Sequence, residues 1–136
     1  MPLRILIVDD EPSIRKTTRI AVETAGHTAA EAPSALRALK AVEEDAFDAC
    51  FLDLKLGADD GLQTLEKLLA AQPALAVVMF TAYANIATAV EAMRRGAFDF
   101  IPKPFTPDQV RAVLAKIEKN RALATRVRLL EGELAR

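Results

Sequence analysis

Apolar runs alternate along the chain with segments in which apolar residues recur every three or four positions. The runs at residues 3–8, 47–52 and 75–80 are nearly unbroken and lack strict alternation, as is typical of strands buried on both faces of a parallel sheet. Two shorter strand candidates lie at residues 28–32 and 99–101. The pattern therefore predicts five strands.

The segments between the strands carry helical periodicity and signals for helix ends. Pro12 suits a first helical position and Gly26 a helix end, so they bound a first helix. Thr106-Pro107-Asp108-Gln109 is a capping-box pattern, which starts a last helix that can continue to residue 135. Further helices are predicted over residues 34–44, 62–72 and 85–95.

The predicted order is βαβαβαβαβα, with Gly57 and Gly61 marking a loop after the third strand. Strands that alternate with helices require right-handed crossovers and form a parallel sheet that helices cover on both faces. Five such strands favour an α/β, flavodoxin-like (βα)5 fold with strand order 2-1-3-4-5. The last helix is long enough to extend beyond that fold.

Acidic, hydroxyl and basic residues follow four of the predicted strands. Asp9 and Asp10 follow the first strand, Asp53 the third, Thr81 the fourth and Lys103 the fifth. These strand ends share one edge of a parallel sheet, and the first and third strands are neighbours in the predicted order. Carboxylates at close range repel one another unless a cation lies among them, and oxygen ligands without His or Cys favour Mg²⁺. We therefore expect a magnesium site at this edge.

This set of side chains suits phosphoryl transfer to a carboxylate. Asp53 would attack phosphorus, while Mg²⁺ and Lys103 would neutralise charge on the equatorial oxygens and Thr81 would donate a hydrogen bond to one of them. Each residue taken alone is more often a solvated turn residue or a helix cap. The prediction depends on four strand ends that carry the required side chains together.

Composition narrows the possible functions. The chain has 136 residues, a formal net charge of −1 and a sequence pI near 5.9, which fits one domain and argues against nucleic-acid binding by bulk charge. One cysteine, Cys50, and one histidine, His27, exclude an internal disulfide and a zinc site built from Cys and His. The first apolar run is too short for a signal peptide, and polar residues interrupt the uncharged stretch at 68–90. We expect no membrane segment and a cytoplasmic protein.

The motifs at the strand ends resemble those of the receiver domain of bacterial two-component response regulators. The resemblance covers residues 3–115 and rests on four motifs in the family's order and spacing, Val8-Asp9-Asp10-Glu11, Leu52-Asp53, Thr81-Ala82 and Lys103-Pro104. Residues 81–93, 96–100 and 102–105 are similar to the NtrC subfamily of σ54-dependent transcription activators. Residues 51–57 and 130–133 are similar to the alginate-biosynthesis regulator branch of that subfamily.

The resemblance implies a role for each residue of the acidic edge. Asp53 would be the phosphoacceptor, and Asp9 and Asp10 would bind Mg²⁺ with Asp53 and the backbone carbonyl of Lys55. Lys103 would contact the phosphoryl group. The phosphodonor would be a sensor histidine kinase, and the chain would be a signalling domain that catalyses only its own phosphorylation and dephosphorylation, not an enzyme acting on a metabolite.

The resemblance also implies how the signal leaves the site. Thr81 would be the switch hydroxyl and Phe100 the rotameric switch aromatic, here without the tyrosine hydroxyl that is more usual. The Lys103–Pro104 bond would be the family's cis peptide. Tyr83 would shield the acyl phosphate from water, so that self-hydrolysis is slow. The surface formed by helix 4, strand 5 and helix 5 would change on phosphorylation and mediate homodimerisation.

The end of the last helix carries a different apolar pattern from its beginning. Four residues with 4-3-4 spacing and an asparagine one step earlier are typical of a coiled-coil seam in which a buried Asn sets the register: Asn120, Leu123, Val127, Leu130 and Leu134. We therefore predict a receiver domain over residues 1–118 and a dimerising linker helix over 119–136. The linker would lead to a downstream transcription-regulating module, so this segment itself would not contact nucleic acid. A solvated tail is the alternative.

Two other functions are compatible with part of this pattern. A haloacid-dehalogenase-type phosphatase also uses an aspartate at a strand end as nucleophile, but it needs a second carboxylate two residues later, where Lys55 stands. A scaffolding receiver that is never phosphorylated usually lacks one of the acids or the lysine, and this chain has them all.

Overall fold

The chain folds into a five-stranded sheet with helices packed on both faces. The computed structural model describes residues 2–82 and 86–134. The sheet strands are β1 (Arg4–Val8), β2 (Thr28–Ala32), β3 (Ala49–Asp53), β4 (Ala76–Ala82) and β5 (Asp99–Lys103). The helices are α1 (Pro12–Thr24), α2 (Ala35–Glu44), α3 (Gly61–Ala71), α4 (Ile86–Arg94) and α5 (Pro107–Leu134).

All neighbouring strands of the sheet are parallel, and their order is β2-β1-β3-β4-β5. The predicted flavodoxin-like fold is therefore confirmed, including the reversal of strand order beside β1. Val8 of β1 pairs with Leu52 of β3, and Asp53 pairs with Phe80 of β4. This register brings the last residues of the central strands to one edge of the sheet.

Two apolar layers hold the helices against the sheet. Ile7, Phe51 and Phe80 point towards the layer completed by α1 and α5, whereas Leu52 and Met79 point towards the opposite layer. The central strands are buried on both faces, which explains why their sequences read as unbroken apolar runs. The first part of α5 packs on the sheet through four buried apolar residues: Val110, Val113, Leu114 and Ile117.

Helix ends follow the capping signals of the sequence. The Thr106 N–H donates to Gln109 Oε1 at 2.8 Å, and the Gln109 N–H donates to Thr106 Oγ1 at 3.3 Å, so the predicted capping box is confirmed. Ser34 caps α2, accepting from the Arg37 N–H. Asn85, where the sequence predicts the fourth helix to begin, lies outside the described residues.

The structure differs from the predicted elements between β3 and α3. Lys55–Leu56 and Asp59–Asp60 form a small antiparallel hairpin where the glycines indicated only a loop. In addition, β3 begins at Ala49 rather than at residue 47, because the Phe47 N–H donates to the Gln72 side chain instead of to a strand. β5 extends to Lys103 through Pro102, which an edge strand tolerates because one row of its backbone groups needs no partner.

Across the described parts of the chain, none of the helices combines the length and apolarity that crossing a membrane requires.

Candidate functional site

Three carboxylates meet where β1 and β3 end. Asp9 is fully buried, Asp53 is buried with 7% of its surface exposed, and Asp10 is exposed. One carboxylate oxygen from each lies within 4.8 Å of the other two. They converge because β1 and β3 are adjacent and parallel, so that residues far apart in the chain leave the sheet side by side.

Lys103 reaches this acidic cluster from the end of β5. Its Nζ lies 3.2 Å from Asp9 Oδ2 and 3.2 Å from Asp53 Oδ2, and the peptide bond that follows, Lys103–Pro104, is cis, as the resemblance implied. Thr81 is buried at the end of β4, one residue beyond the Phe80 that pairs with Asp53. The structure thus brings together the residues that the strand ends indicated.

Backbone N–H groups orient the three carboxylates. The Glu11 N–H donates to Asp9 Oδ1 at 2.9 Å, and the Lys55 N–H donates to Asp53 Oδ1 at 3.3 Å. Asp10 Oδ2 accepts from the Gly57 N–H at 3.1 Å. The hairpin between β3 and α3 therefore contacts the acids on both neighbouring strands.

Two glycines allow the hairpin to pack this closely. Gly57 has φ of +58°, a left-handed conformation that glycine adopts without steric cost. The Gly61 N–H donates to the Leu54 carbonyl at 2.9 Å, and a Cβ at position 61 would lie 2.3 Å from that oxygen. Glycine at position 61 is thus required by the close approach of α3 to the residue that follows Asp53.

Burial and charge shift two pKa values at the site. Burial raises the pKa of Asp53 above its usual value and the charge of Asp9 raises it further, while Lys103 and the Lys55 N–H oppose the shift only in part. Burial disfavours the ammonium form of Lys103, but attraction to Asp53 and Asp9 together outweighs it, so the pKa of Lys103 is raised. Lys103 is therefore a cation at neutral pH, and a further cation would lower the cost of ionising Asp53.

A cavity of about 430 Å³ opens over the acids. Its walls come from the ends of β1, β3 and β5 and from the hairpin: Asp10, Glu11, Asp53, Leu54, Lys55, Gly57 and Lys103. The available donors are carboxylate and carbonyl oxygens, which suit a hard divalent cation. The residues present therefore fit a metal site of the kind that the sequence predicted.

The residues implied in signal output lie on β5 and α4. Phe100 on β5 is 36% exposed and belongs to neither apolar layer. On α4, Ile86, Val90 and Met93 are exposed, so part of the apolar surface of this helix faces solvent. The prediction for Tyr83 falls outside the described residues.

One contact at the site was not expected from the sequence. The Arg15 Nη1 on α1 donates to the backbone oxygen of Asp9 at 2.8 Å. The sequence contains little indication of this contact, since it shows only a basic residue in the first turns of the helix that follows the acids. Its side chain could equally have pointed to solvent, and only the packing of α1 on the sheet decides otherwise.

Comparison with known proteins agrees with this geometry. Residues 5–115 match the response regulator receiver domain. The alginate biosynthesis transcriptional regulatory protein AlgB of Pseudomonas aeruginosa is 44% identical over 133 residues, 98% of this chain and 30% of AlgB. The transcriptional regulatory protein ZraR of Escherichia coli is 38% identical over 112 residues, 82% of this chain and 25% of ZraR.

Solved structures give the same result. The crystal structure of NtrX from Brucella abortus superposes with a TM-score of 0.90 at 39% identity, covering 96% of this chain and 30% of NtrX. The separate receiver domain of that NtrX superposes with a TM-score of 0.80 at 41% identity, covering 83% of this chain and 96% of the domain.

The chain belongs to the response regulator receiver domain family. Its relatives include the alginate-biosynthesis regulators that the motifs at residues 51–57 and 130–133 indicated. The chain spans less than a third of the length of the curated relatives described here.

Proposed function

We propose that this chain accepts a phosphoryl group on Asp53 from a sensor histidine kinase, in a reaction that requires Mg²⁺. The observation that carries the proposal is the position of Lys103 Nζ, 3.2 Å from carboxylate oxygens of both Asp53 and Asp9. A fixed ammonium beside the nucleophile and two further acids for a metal ion are what phosphoryl transfer to a carboxylate requires.

The proposal gives each residue of the site a role, which combines its position with what the family resemblance implies. Asp53 forms the new bond to phosphorus as the bond to the donor histidine nitrogen breaks, and the electron pair of that bond returns to the imidazole. Asp9, Asp10, Asp53 and the Lys55 carbonyl would hold Mg²⁺, which would supply positive charge beside the phosphoryl oxygens. Lys103 provides a second positive charge at the same place. Thr81 donates a hydrogen bond to one of these oxygens. The product is an acyl phosphate.

Phosphorylation then shifts the population between two packings of the same fold. Thr81 moves towards the phosphoryl group, and Phe100 turns inward to fill the space behind it. The exposure of Phe100, together with that of Ile86 and Val90 on α4, supports an output surface formed by α4, β5 and α5. A second copy of the chain binds to this surface, to the end of α5, or to both.

The end of α5 supports dimerisation of the linker. Leu123, Val127 and Leu130 are each at least 50% exposed, so their seam is available to a second helix. Asn120 is also exposed at the start of the seam, while the side chain of Leu134 is not among those described. In this proposal residues 1–118 are the receiver and 119–136 the linker of a cytoplasmic σ54-dependent transcription activator.

The two alternative functions, phosphatase and scaffold, need different residues around Asp53. A haloacid-dehalogenase-type phosphatase would need an acid where Lys55 stands, and that side chain is exposed on the hairpin. A scaffolding receiver would not need Lys103 beside Asp53. The structure therefore favours the phosphoacceptor over both.

Incubation with Mg²⁺ and acetyl phosphate tests the proposal. We expect a stable gain of one phosphoryl group by intact-mass spectrometry in the wild type, and none in Asp53→Asn. Asp59→Asn is the matched control, because Asp59 is an exposed carboxylate of the adjacent hairpin and its loss should leave the labelling unchanged.

The alternatives predict other results in the same experiment. Steady release of inorganic phosphate without stable labelling would indicate a phosphatase, and no reaction at all would indicate a scaffold. Full labelling of Asp53→Asn would exclude Asp53 as the acceptor.

A further inference from the structure

We infer that Arg15 is a positioning residue for the cation site and acts through the backbone of Asp9. The inference rests on the proposed function, because it assigns a role to a residue outside the set that touches metal or phosphoryl group. Arg15 lies on α1, one turn after the acids, and only 17% of its side chain is exposed.

Arg15 is held in a fixed orientation by two partners. Its Nη1 donates to the Asp9 carbonyl at 2.8 Å, and its Nε donates to Glu31 Oε1 at 3.1 Å. The other carboxylate oxygen of Glu31 accepts from Arg19 Nη1 at 2.9 Å, and Arg19 Nη2 donates to the Ala29 carbonyl at 2.7 Å. Glu31 thus links two arginines of α1 to β2, and only Arg15 extends to the acidic site.

The contacted oxygen belongs to the peptide plane that joins Asp9 to Asp10. The Asp9 N–H is bonded to the Ala32 carbonyl at 3.2 Å, and its Oδ1 accepts from the Glu11 N–H. The Asp9 carbonyl is the remaining backbone group of this residue, and Arg15 fixes it. Because rotation of that peptide plane would move Asp10, Arg15 sets the direction from which the exposed acid approaches a cation.

If Arg15 positions the acids, its removal should change the Mg²⁺ affinity in the opposite direction to that expected from its charge alone. If the charge of Arg15 alone mattered, removing it would reduce repulsion and tighten Mg²⁺ binding. If Arg15 positions the acids, removing it would weaken Mg²⁺ binding, as happens when groups that orient metal ligands are lost. A lysine would keep the charge but could not provide the fork that bonds Asp9 and Glu31 together.

Isothermal titration of the full chain with Mg²⁺ separates these cases. We expect Arg15→Gln and Arg15→Lys both to bind Mg²⁺ about tenfold more weakly than wild type, near the lower end for groups that orient ligands. Arg19→Gln is the matched control, since it removes the same charge from the same Glu31 without touching Asp9. The Mg²⁺ affinity of Arg19→Gln should stay within about twofold of that of wild type.

The Mg²⁺ dependence of phosphorylation separates a positioning role of Arg15 from general damage to the fold. In Arg15→Lys, the Mg²⁺ concentration for half-maximal phosphorylation by acetyl phosphate should rise about tenfold, while the rate at saturating Mg²⁺ stays near that of wild type. Arg15→Lys keeps the charge and the apolar stem, so it serves as the test if Arg15→Gln fails to fold.

Three outcomes would overturn the inference: unchanged or tighter Mg²⁺ binding in both Arg15 variants, equal weakening in Arg19→Gln, or a lower rate that saturating Mg²⁺ does not restore. If the wild type itself binds no Mg²⁺, the proposed function fails. If the wild type binds Mg²⁺ and the Arg15 variants bind it equally well, only the inference about Arg15 fails.

Discussion

At Asp53, burial and charge oppose the ionisation that the proposed function requires. To attack phosphorus the Asp53 carboxyl must be ionised, yet burial and the neighbouring charge of Asp9 raise its pKa, and Lys103 compensates only in part. A raised pKa in the folded state means that the folded protein holds this proton more tightly than the unfolded chain. The contribution of Asp53 to stability therefore falls as pH rises from the unfolded pKa of about 4 through the folded pKa, and above that range ionised Asp53 destabilises the fold.

We therefore expect Asp53→Asn to unfold at a higher temperature than wild type near neutral pH in a chelating buffer. The gain should be about a few degrees and should shrink as pH falls towards about 4, where Asp53 is protonated in both states. Thermal unfolding followed by circular dichroism at several pH values measures it.

Mg²⁺ should reduce this difference, because the cation stabilises ionised Asp53 and so raises the unfolding temperature of the wild type more than that of Asp53→Asn. Asp59→Asn serves again as the control and should show no comparable gain. A lower unfolding temperature for Asp53→Asn near neutral pH would show that the Lys103 ion pair outweighs burial.

At the scale of elements, α5 is attached to the sheet by two different kinds of contact. Apolar packing ends at Ile117, and polar contacts to the amino-terminal ends of the strands follow. The Leu3 N–H donates to His27 Nδ1, so the ring proton lies on Nε2. His27 Nε2 therefore donates to Glu118 Oε1 at 2.9 Å. Arg121 pairs with Asp48 Oδ1 at 3.2 Å.

The Arg121 contacts extend to two strand ends. Its Nη2 donates to the Asp48 carbonyl at 2.7 Å and to the Ala74 carbonyl at 3.2 Å, so it joins the start of β3 to the start of β4. These polar contacts hold α5 against the strand ends for one turn beyond its apolar packing, so they set the direction of the exposed end of α5.

Replacing Arg121 with Gln should release this part of α5. We expect faster backbone amide exchange over residues 118–126 and a loss of about 1 kcal/mol in the free energy of unfolding, the usual net value of a few partly exposed hydrogen bonds. Hydrogen–deuterium exchange with mass spectrometry measures the first effect and urea unfolding the second.

Lys116→Gln is the matched control, since it removes a charge from the same helix and breaks the more exposed Lys116–Asp99 pair. Exchange over 118–126 should not change in that variant. Equal exchange in Arg121→Gln and wild type would show that the helix stays docked without Arg121.

At the scale of the whole molecule, the acidic site and the contacts of Arg121 occupy opposite edges of one sheet. Asp48 directly precedes β3 and Asp53 is its last residue, so the two are about 17 Å apart along the strand. Any change at Asp53 must therefore reach the end of α5 through the packed helices and strands rather than by direct contact. Leu129 and Leu130 are both exposed near the end of α5, but only Leu130 follows the 4-3-4 spacing of the seam.

This difference gives a test of the proposed dimer. We expect Leu130→Ser to weaken dimerisation at least about tenfold, because burial of a leucine contributes about 1.5 kcal/mol or more. Leu129→Ser should leave it unchanged. Sedimentation velocity of both variants and of wild type, with and without the phosphate mimic beryllofluoride, measures the effect.

Equal weakening by the two substitutions would contradict a seam of this register. A wild type that stays monomeric in both conditions would leave the end of α5 as a solvated helix in this chain.

The fold was predictable because its signals are periodic and local. Unbroken apolar runs at β1, β3 and β4 can only be covered by helices on both faces, and the alternation of strands with helices then requires a parallel sheet. Asp9, Asp53 and Lys103 were predictable as neighbours because all ends of parallel strands share an edge. The roles assigned to Thr81 and Phe100 came from the family resemblance and stay predictions.

By itself the sequence determined the order of elements, the class of sheet and the edge at which the acids meet, since apolar periodicity and chain connectivity permit few other arrangements. Tertiary structure alone decided the hairpin at 55–60, the later start of β3, and the contacts of Arg15 and Arg121. Each of these depends on a hydrogen bond between a backbone group and a side chain that the packing of the elements brings to it. Such bonds leave no periodic signal, and a long side chain reaches its partner only after the elements have packed.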